Sequence, residues 1–398
     1  MTAVGKASGA AARFQVSAIE ELATGTDVKG FYAQHFWAAI FPLVGGALLY
    51  GWAALCTVAI VMASAAAGLV MWKRIGRRGR QLNAARCLWM AMLLSLALPP
   101  HLLSPHQSNW PVVPAAGIFL VIVEWLLATV GSGRVDPVVA AYLMLVVLFE
   151  PILTPHLVLK FDHVLLGNLF NARMIDAGVP RTIPWISATD SPPSGTDALD
   201  DPQPAASVLS AYTSGRLRPD RFITSAQMVL RDQLPPLEDM VVGGEPGPIG
   251  ASSGALVIVG GLLLIYKGLI DYRIPLLCAC AALAAFLILP VPEFINDSGP
   301  QWRLAWPASY LGWEASVALA GYELFTSPLL FVALFLATSP RSRPMSRRGC
   351  AAQGVILGLL AAPMQLYGSI LVGPYVALLT VSLGSRVLDR IFPPRALV

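Results

Sequence analysis

The chain has 398 residues, of which 56% are hydrophobic and only 13% charged, and its mean hydropathy is +0.65. A soluble domain carries roughly 25% charged residues, so a soluble fold is excluded as the starting class, and length here counts membrane helices rather than domains. The net charge of +4 comes from Lys and Arg clustered between apolar runs, which signals topology rather than nucleic-acid binding, and the five Cys show neither CxxC nor Cys/His ligand spacing.

Residues 1–30 mix Lys6, Arg13, Glu20, Glu21, Asp27 and Lys29 without the apolar core of a signal peptide, so they read as a cytoplasmic tail. The apolar stretch 36–72 is too long for one span and predicts two helices broken near Gly45-Gly46 and Gly51. Runs at 87–103, 112–130 and 137–153 complete a first five-helix half over 31–154. A polar loop, 155–250, is rich in Pro, Asp, Ser and Gly, and a loop of that length is usually functional or partly disordered. Runs at 253–269, 275–291, 315–337, 354–371 and 374–388 form a second half over 251–391, followed by a short tail, 392–398. The expected fold is an all-α integral membrane protein of about ten transmembrane helices.

Every even-numbered helix exit is basic: Lys73 to Arg86, Arg134, Lys267 with Arg273, Arg341 to Arg348, and Arg386 to Arg395. The odd-numbered exits carry almost no Lys or Arg, so both termini are expected in the cytoplasm and the long loop outside, which for a bacterial inner membrane is the periplasm. Five helices on each side of that loop force the halves into opposite orientations, an inverted repeat. No convincing identity between the halves supports this beyond topology parity.

Four segments resemble one membrane family, the D subunit of the Rnf electron-transport complex and the related B subunit of the sodium-translocating NADH:quinone reductase. Gly243-Gly-Glu-Pro-Gly-Pro-Ile-Gly-Ala-Ser-Ser253, with Gly260-Gly261 and Tyr272-Arg-Ile-Pro275 beyond it, looks like that family's PGSxGExSxLA turn, GG pair and W/Y-R-I-P run. Leu96-Ala-Leu-Pro-Pro100 looks like LxLPP, Gly131-Ser-Gly-Arg-Val-Asp-Pro137 like GGxGxNxFNP, and Leu336-Ala-Thr-Ser-Pro-Arg-Ser-Arg-Pro344 like MATDPxTSP. Resemblance implies ten helices in two inverted halves and a flavin mononucleotide (FMN) esterified through its phosphate to a Thr of an SGAT-type motif. The nearest match is Ser210-Ala-Tyr-Thr213, in the loop that charge counting places outside. It also allows riboflavin or a second flavin, and implies partner subunits and a flavin transferase for maturation. Departures from the pattern are Ala211-Tyr212 within the SGAT motif, Ala251 for the acid of the turn, Ser339 for the ATDP aspartate and Asp136 for the NP asparagine. Ser194-Gly-Thr196 and Thr224-Ser225 compete with Thr213 as acceptors.

The candidate cofactor residues are therefore Ser210, Thr213, Gly244, Gly247, Gly250 and Ser253. Glycines just before a helix let backbone N–H groups approach an anion, or simply make a tight entry turn. Glu124 and Glu323 lie within apolar runs, where a carboxylate is expensive enough to suggest an ion pathway, unless a neighbouring Arg pairs with it. The five His have no paired arrangement suited to haem and read as surface or interfacial, and the Trp residues near predicted external boundaries read as an aromatic belt. No metal-binding set and no dinucleotide or iron–sulfur motif is present in the sequence. The function expected is a non-autonomous membrane subunit of an Rnf/NQR-like, ion-coupled electron-transport complex carrying a flavin. The alternatives are a transporter or channel and a flavin-free structural subunit.

Overall fold

Helices α1 (Val28–Tyr50) and α2 (Trp52–Ile75) are separated at Gly51, whose φ of 59° is a left-handed conformation that a side chain disfavours. The computed structural model that shows this describes residues 28–75, 84–103, 110–130, 134–153, 209, 237–243, 247–295, 301–306 and 313–393. The one break expected near Gly45-Gly46 and Gly51 falls at Gly51; the Gly45-Gly46 pair stays inside α1 and serves close packing instead. Helix α3 (Ala84–Ala97) stops before Pro99-Pro100, where a missing N–H and ring sterics prevent continuation, and a 3₁₀ turn (Pro100–Leu103) follows. Every residue from Trp89 to Ala97 is buried, which makes α3 the central helix of the first half. Helices α4 (Val112–Val130) and α5 (Pro137–Leu153) coincide with the expected runs, although α5 leaves helical geometry at Phe149 (φ −129°, ψ 31°).

Of the long central loop, the described parts are Leu209, a short helix α6 (Leu237–Val242) and the buried turn from Gly247 into α7 (Gly254–Tyr266). Helix α8 (Arg273–Ile288) leads into an antiparallel hairpin, β1 (Val291–Ile295) with β2 (Gln301–Ala305), in register Val291 to Ala305. That hairpin is the only sheet among the described residues. The single helix expected over 315–337 is corrected. It is two pieces, α9 (Trp313–Thr326) and α10 (Leu329–Leu336), bent by 63° because Pro328 offers no N–H to Leu324. Within α10, Val332–Leu336 widens to π-helical turns, closed by the Ala337 N–H on the Val332 carbonyl at 2.8 Å. Helices α11 (Arg347–Leu366) and α12 (Gly373–Ile391) complete the chain.

Among the described residues, four helices are long and apolar enough to cross a bilayer alone: Gly30–Tyr50, Trp52–Trp72, Val112–Thr129 and Arg347–Leu366. The bent pair α9–α10 makes a fifth if taken as one span. Four more, Ala84–Ala97, Pro137–Phe149, Gly254–Tyr266 and Arg273–Ile288, are apolar but shorter than a full crossing.

Packing relates the two halves by reciprocal contacts. At the α1–α7 crossing Gly45 lies against Ser253, and Gly260 lies against Ala38; the steps from 45 to 260 and from 38 to 253 are equal. Gly117 of α4 sits on α2 over the Val61 carbonyl and the Ala65 amide, and Gly358 of α11 sits on α8 over the Cys278 carbonyl and the Ala282 amide. Each glycine thus meets a carbonyl and an amide four residues apart, with no room for a side chain. Helix α2 packs chiefly on α4 as α8 does on α11, and the third helix of each half ends in Leu-Ala-x-x-Pro, at Leu96–Pro100 and Leu336–Pro340. The same pairings thus recur in the first and second parts of the described chain.

Candidate functional site

The segments that resemble the family meet in two pairs, at different places in the fold. In the first, the turn before α7 closes on the end of α3: the Ile249 N–H donates to the Leu98 carbonyl (3.1 Å) and the Gly250 N–H to the Leu96 carbonyl (2.7 Å). Tyr50 at the end of α1 receives the Gly247 N–H on its hydroxyl (2.7 Å) and lies 3.1 Å from the Gly247 carbonyl. Ser253 accepts the Leu256 N–H (3.4 Å) and N-caps α7. The glycines are needed because a side chain at Gly250 would strike Leu96 and one at Gly46 would strike Ile249. This turn is a structural plug between the halves, and the amides of Gly247 and Gly250 are already committed to protein acceptors.

The second pair lies among the arginines of the basic exits. Asp136 N-caps α5, its Oδ1 accepting the Val138 N–H (2.9 Å), while its Oδ2 accepts the Ser339 hydroxyl (2.5 Å) from the end of α10. Two departures from the family pattern, Ser for the ATDP aspartate and Asp for the NP asparagine, therefore touch each other. The carboxylate has changed sides of one contact and the site still holds one. Burial pushes the Asp136 carboxyl up from its ordinary range, opposed by its hydrogen bonds to Ser339 and Val138 and by Arg341 and Arg86. Ser342, 3.1 Å from the Ser339 hydroxyl, lies 3.0 Å from both the Leu336 and the Ala337 carbonyls at the C-terminal end of α10, where its one hydroxyl proton can serve either. The Gln353 amide from α11 holds the Ser342 carbonyl at 3.0 Å.

Beside this contact Arg341 grips Glu124 of α4 with both guanidinium nitrogens, at 2.8 and 2.9 Å, and Arg86 approaches the same carboxylate at 3.8 Å. Glu124 is 4% exposed, so the fork both neutralises and satisfies it. A narrow crevice runs between Tyr32, Arg86, Trp89, Asp136, Ser339 and Arg341. His35 lies behind it, packed on Phe31 and edge-on to Trp89 with ring centroids 5.6 Å apart. Contrary to the surface or interfacial reading, His35 is buried; its Nε2 and the Trp89 Nε1 have no hydrogen-bond partner. Helix α1 turns this face into the core, which its apolar sequence on every side does not reveal.

Glu323 has a different environment from Glu124. It is fully buried on the last turn of α9, and neither carboxylate oxygen has a hydrogen-bond partner among the described residues. Another buried polar group was missed altogether: Gln365 of α11, whose amide has no partner at either end among the described residues. It lies seven residues after Gly358 as Glu124 lies seven after Gly117, so it is the equivalent of Glu124 in the other half. Arg341, also missed, directly follows the Leu-Ala-Thr-Ser-Pro segment, where an acid at membrane depth gives reason to look for its cation. Ser210, Thr213 and Gly244 lie outside the described residues, and no group of three or more His, Cys, Asp or Glu able to hold a metal occurs among the described ones.

Residues 17–397 match the family described as NQR2, RnfD, RnfE. The chain is similar to the D subunit of the ion-translocating oxidoreductase complex of Yersinia pseudotuberculosis, 25% identical over 367 residues, which is 90% of this chain and 91% of that protein. It is also similar to the protein of the same name from Stutzerimonas stutzeri, 26% identical over 371 residues (91% and 90%). The one from Halorhodospira halophila is 23% identical over 355 residues (88% and 86%).

Proposed function

The chain belongs to the NQR2, RnfD, RnfE family, and from that membership we propose that it is the membrane-embedded D subunit of an Rnf/NQR-like, ion-translocating oxidoreductase complex. It works with other subunits, which supply the oxidation of the electron donor, and sits in the bacterial inner membrane with ten crossings, inverted halves and both termini in the cytoplasm. The observation that carries this reading is the meeting of its four family segments in two pairs, each joining one half of the fold to the other. A membrane arm that couples electron passage to ion movement needs contacts of that kind, shared between two halves able to shift against each other. Of the two carboxylates expected on an ion pathway, Glu124 is held by Arg341, which leaves Glu323, without a hydrogen-bond partner among the described residues, as the pathway group.

FMN on Thr213, installed by a flavin transferase, is the cofactor of this reading. Flavin would supply one-electron redox chemistry when bound, and the chain its orientation and a dry setting. The described residues fit that group in one way only. With the Gly247 and Gly250 amides engaged within the fold, the turn offers neither amide to a phosphate, so FMN retention depends on the ester at Thr213 rather than on an anion cradle of these amides. In-gel fluorescence of the denatured protein, made with its native transferase, tests this. A fluorescent band lost in Thr213→Ala is expected. A dark wild-type band with flavin in the supernatant would point to riboflavin or another noncovalent flavin. A dark band without any flavin would favour the flavin-free structural subunit, which the substituted SGAT motif and the filled turn both suit.

A further inference from the structure

Two carboxylates at membrane depth carry no equal burden in this fold. Glu124 is held by a bidentate guanidinium and has a second Arg nearby, so both of its oxygens are engaged and its position is fixed. Glu323 is buried, and among the described residues no donor reaches either of its oxygens. An ionised carboxylate left so would cost far more than the few kcal/mol of an unsatisfied neutral group, so the side chain holds a proton or awaits a cation.

Glu323 stands on α9, the first arm of the bent pair. That arm ends three residues after Glu323 in a proline break, where the Leu324 carbonyl loses its helical donor and takes only the Ser327 hydroxyl at 3.4 Å. Broken helices with loosened carbonyls beside an acid are the membrane solution for a small cation, and π-helical turns follow within the same bent element. Helix α9 packs on α6, α8 and α10. The titratable residues of those elements are Glu238 and Asp239 on α6, and Arg273, Cys278 and Cys280 on α8; none of the three on α8 hydrogen-bonds Glu323.

We infer that Glu323, at the break between α9 and α10, is the exchangeable monovalent-cation site of the protein, carrying a proton that it yields or trades for Na⁺, while Glu124 is a fixed structural charge. This rests on the proposed ion-translocating role but not on flavin. Infrared difference spectroscopy of the purified complex reads it directly, comparing acid with alkaline buffer and sodium with choline salts. The wild type is expected to show a protonated-carboxyl band that weakens on alkalinisation or sodium addition. That change is lost in Glu323→Gln, an isosteric variant that breaks no hydrogen bond, and kept in Glu124→Gln. A response to sodium at constant pH identifies Na⁺; a response to pH alone identifies the proton. A difference spectrum identical in Glu323→Gln, or a Glu323 band indifferent to both pH and sodium, would overturn the inference. Because the measurement needs no electron flow, it stands or falls independently of the flavin gel.

Discussion

Asp136 and Ser339 show how a motif can be altered and its chemistry kept. Taken singly, each substitution reads as a loss; in contact, they form a transposition of one carboxylate across a hydrogen bond. Restoring one side alone should therefore harm the protein. Ser339→Asp sets a second carboxyl against Asp136 and is expected to destabilise by roughly 1–3 kcal/mol, while Ser339→Asp with Asp136→Asn recovers most of the loss, since residues in contact are coupled. Thermal unfolding in detergent measures both, and equal losses in the single and double variants would refute the transposition. The pH dependence has a definite sign. The raised carboxyl favours the folded state when protonated, so its contribution is full below the ordinary carboxylate pKa and declines as pH rises through the folded value. Asp136→Asn should flatten that decline.

At the scale of elements, glycine decides which helices can touch. Gly117 and Gly358 bring α4 onto α2 and α11 onto α8 at backbone distance. Gly117→Val and Gly358→Val each require two helix backbones to separate, and each is expected to cost at least the roughly 1–3 kcal/mol typical of overpacking. Gly384, with open space around its Cα, is the control and should accept Ala within about 0.5 kcal/mol. Equal effects at all three sites in the same unfolding assay would argue against the reciprocal crossing. Gly45-Gly46 belongs to this class too. The pair reads as a turn in isolation, but its smallness serves the α7 face and the Ile249 turn, and the turn proper is left to Gly51.

For the whole molecule, the basic exits predict one sidedness. Single Cys residues placed near position 78 and near either terminus should react with an impermeant thiol reagent only in inverted vesicles, and one near position 196 only in intact cells or spheroplasts. Labelling of both groups from the same side would invalidate the inverted topology.

The sequence by itself determined the membrane class, the family resemblance and the limits of spans such as Val112–Val130 and Pro137–Leu153, because hydropathy and helix rise are local properties. It also contained the signal for the α9–α10 break, a proline within an apolar run, although the run's hydropathy spoke for one continuous helix. Only the tertiary structure decided what the polar residues do. That Glu124 is neutralised by an Arg 217 residues away, that Asp136 faces Ser339, and that Glu323 finds no hydrogen-bond partner among the described residues are facts of packing between halves. In an apolar interior a polar group's role is set by the partner it finds, and partners far apart in the chain leave no local trace.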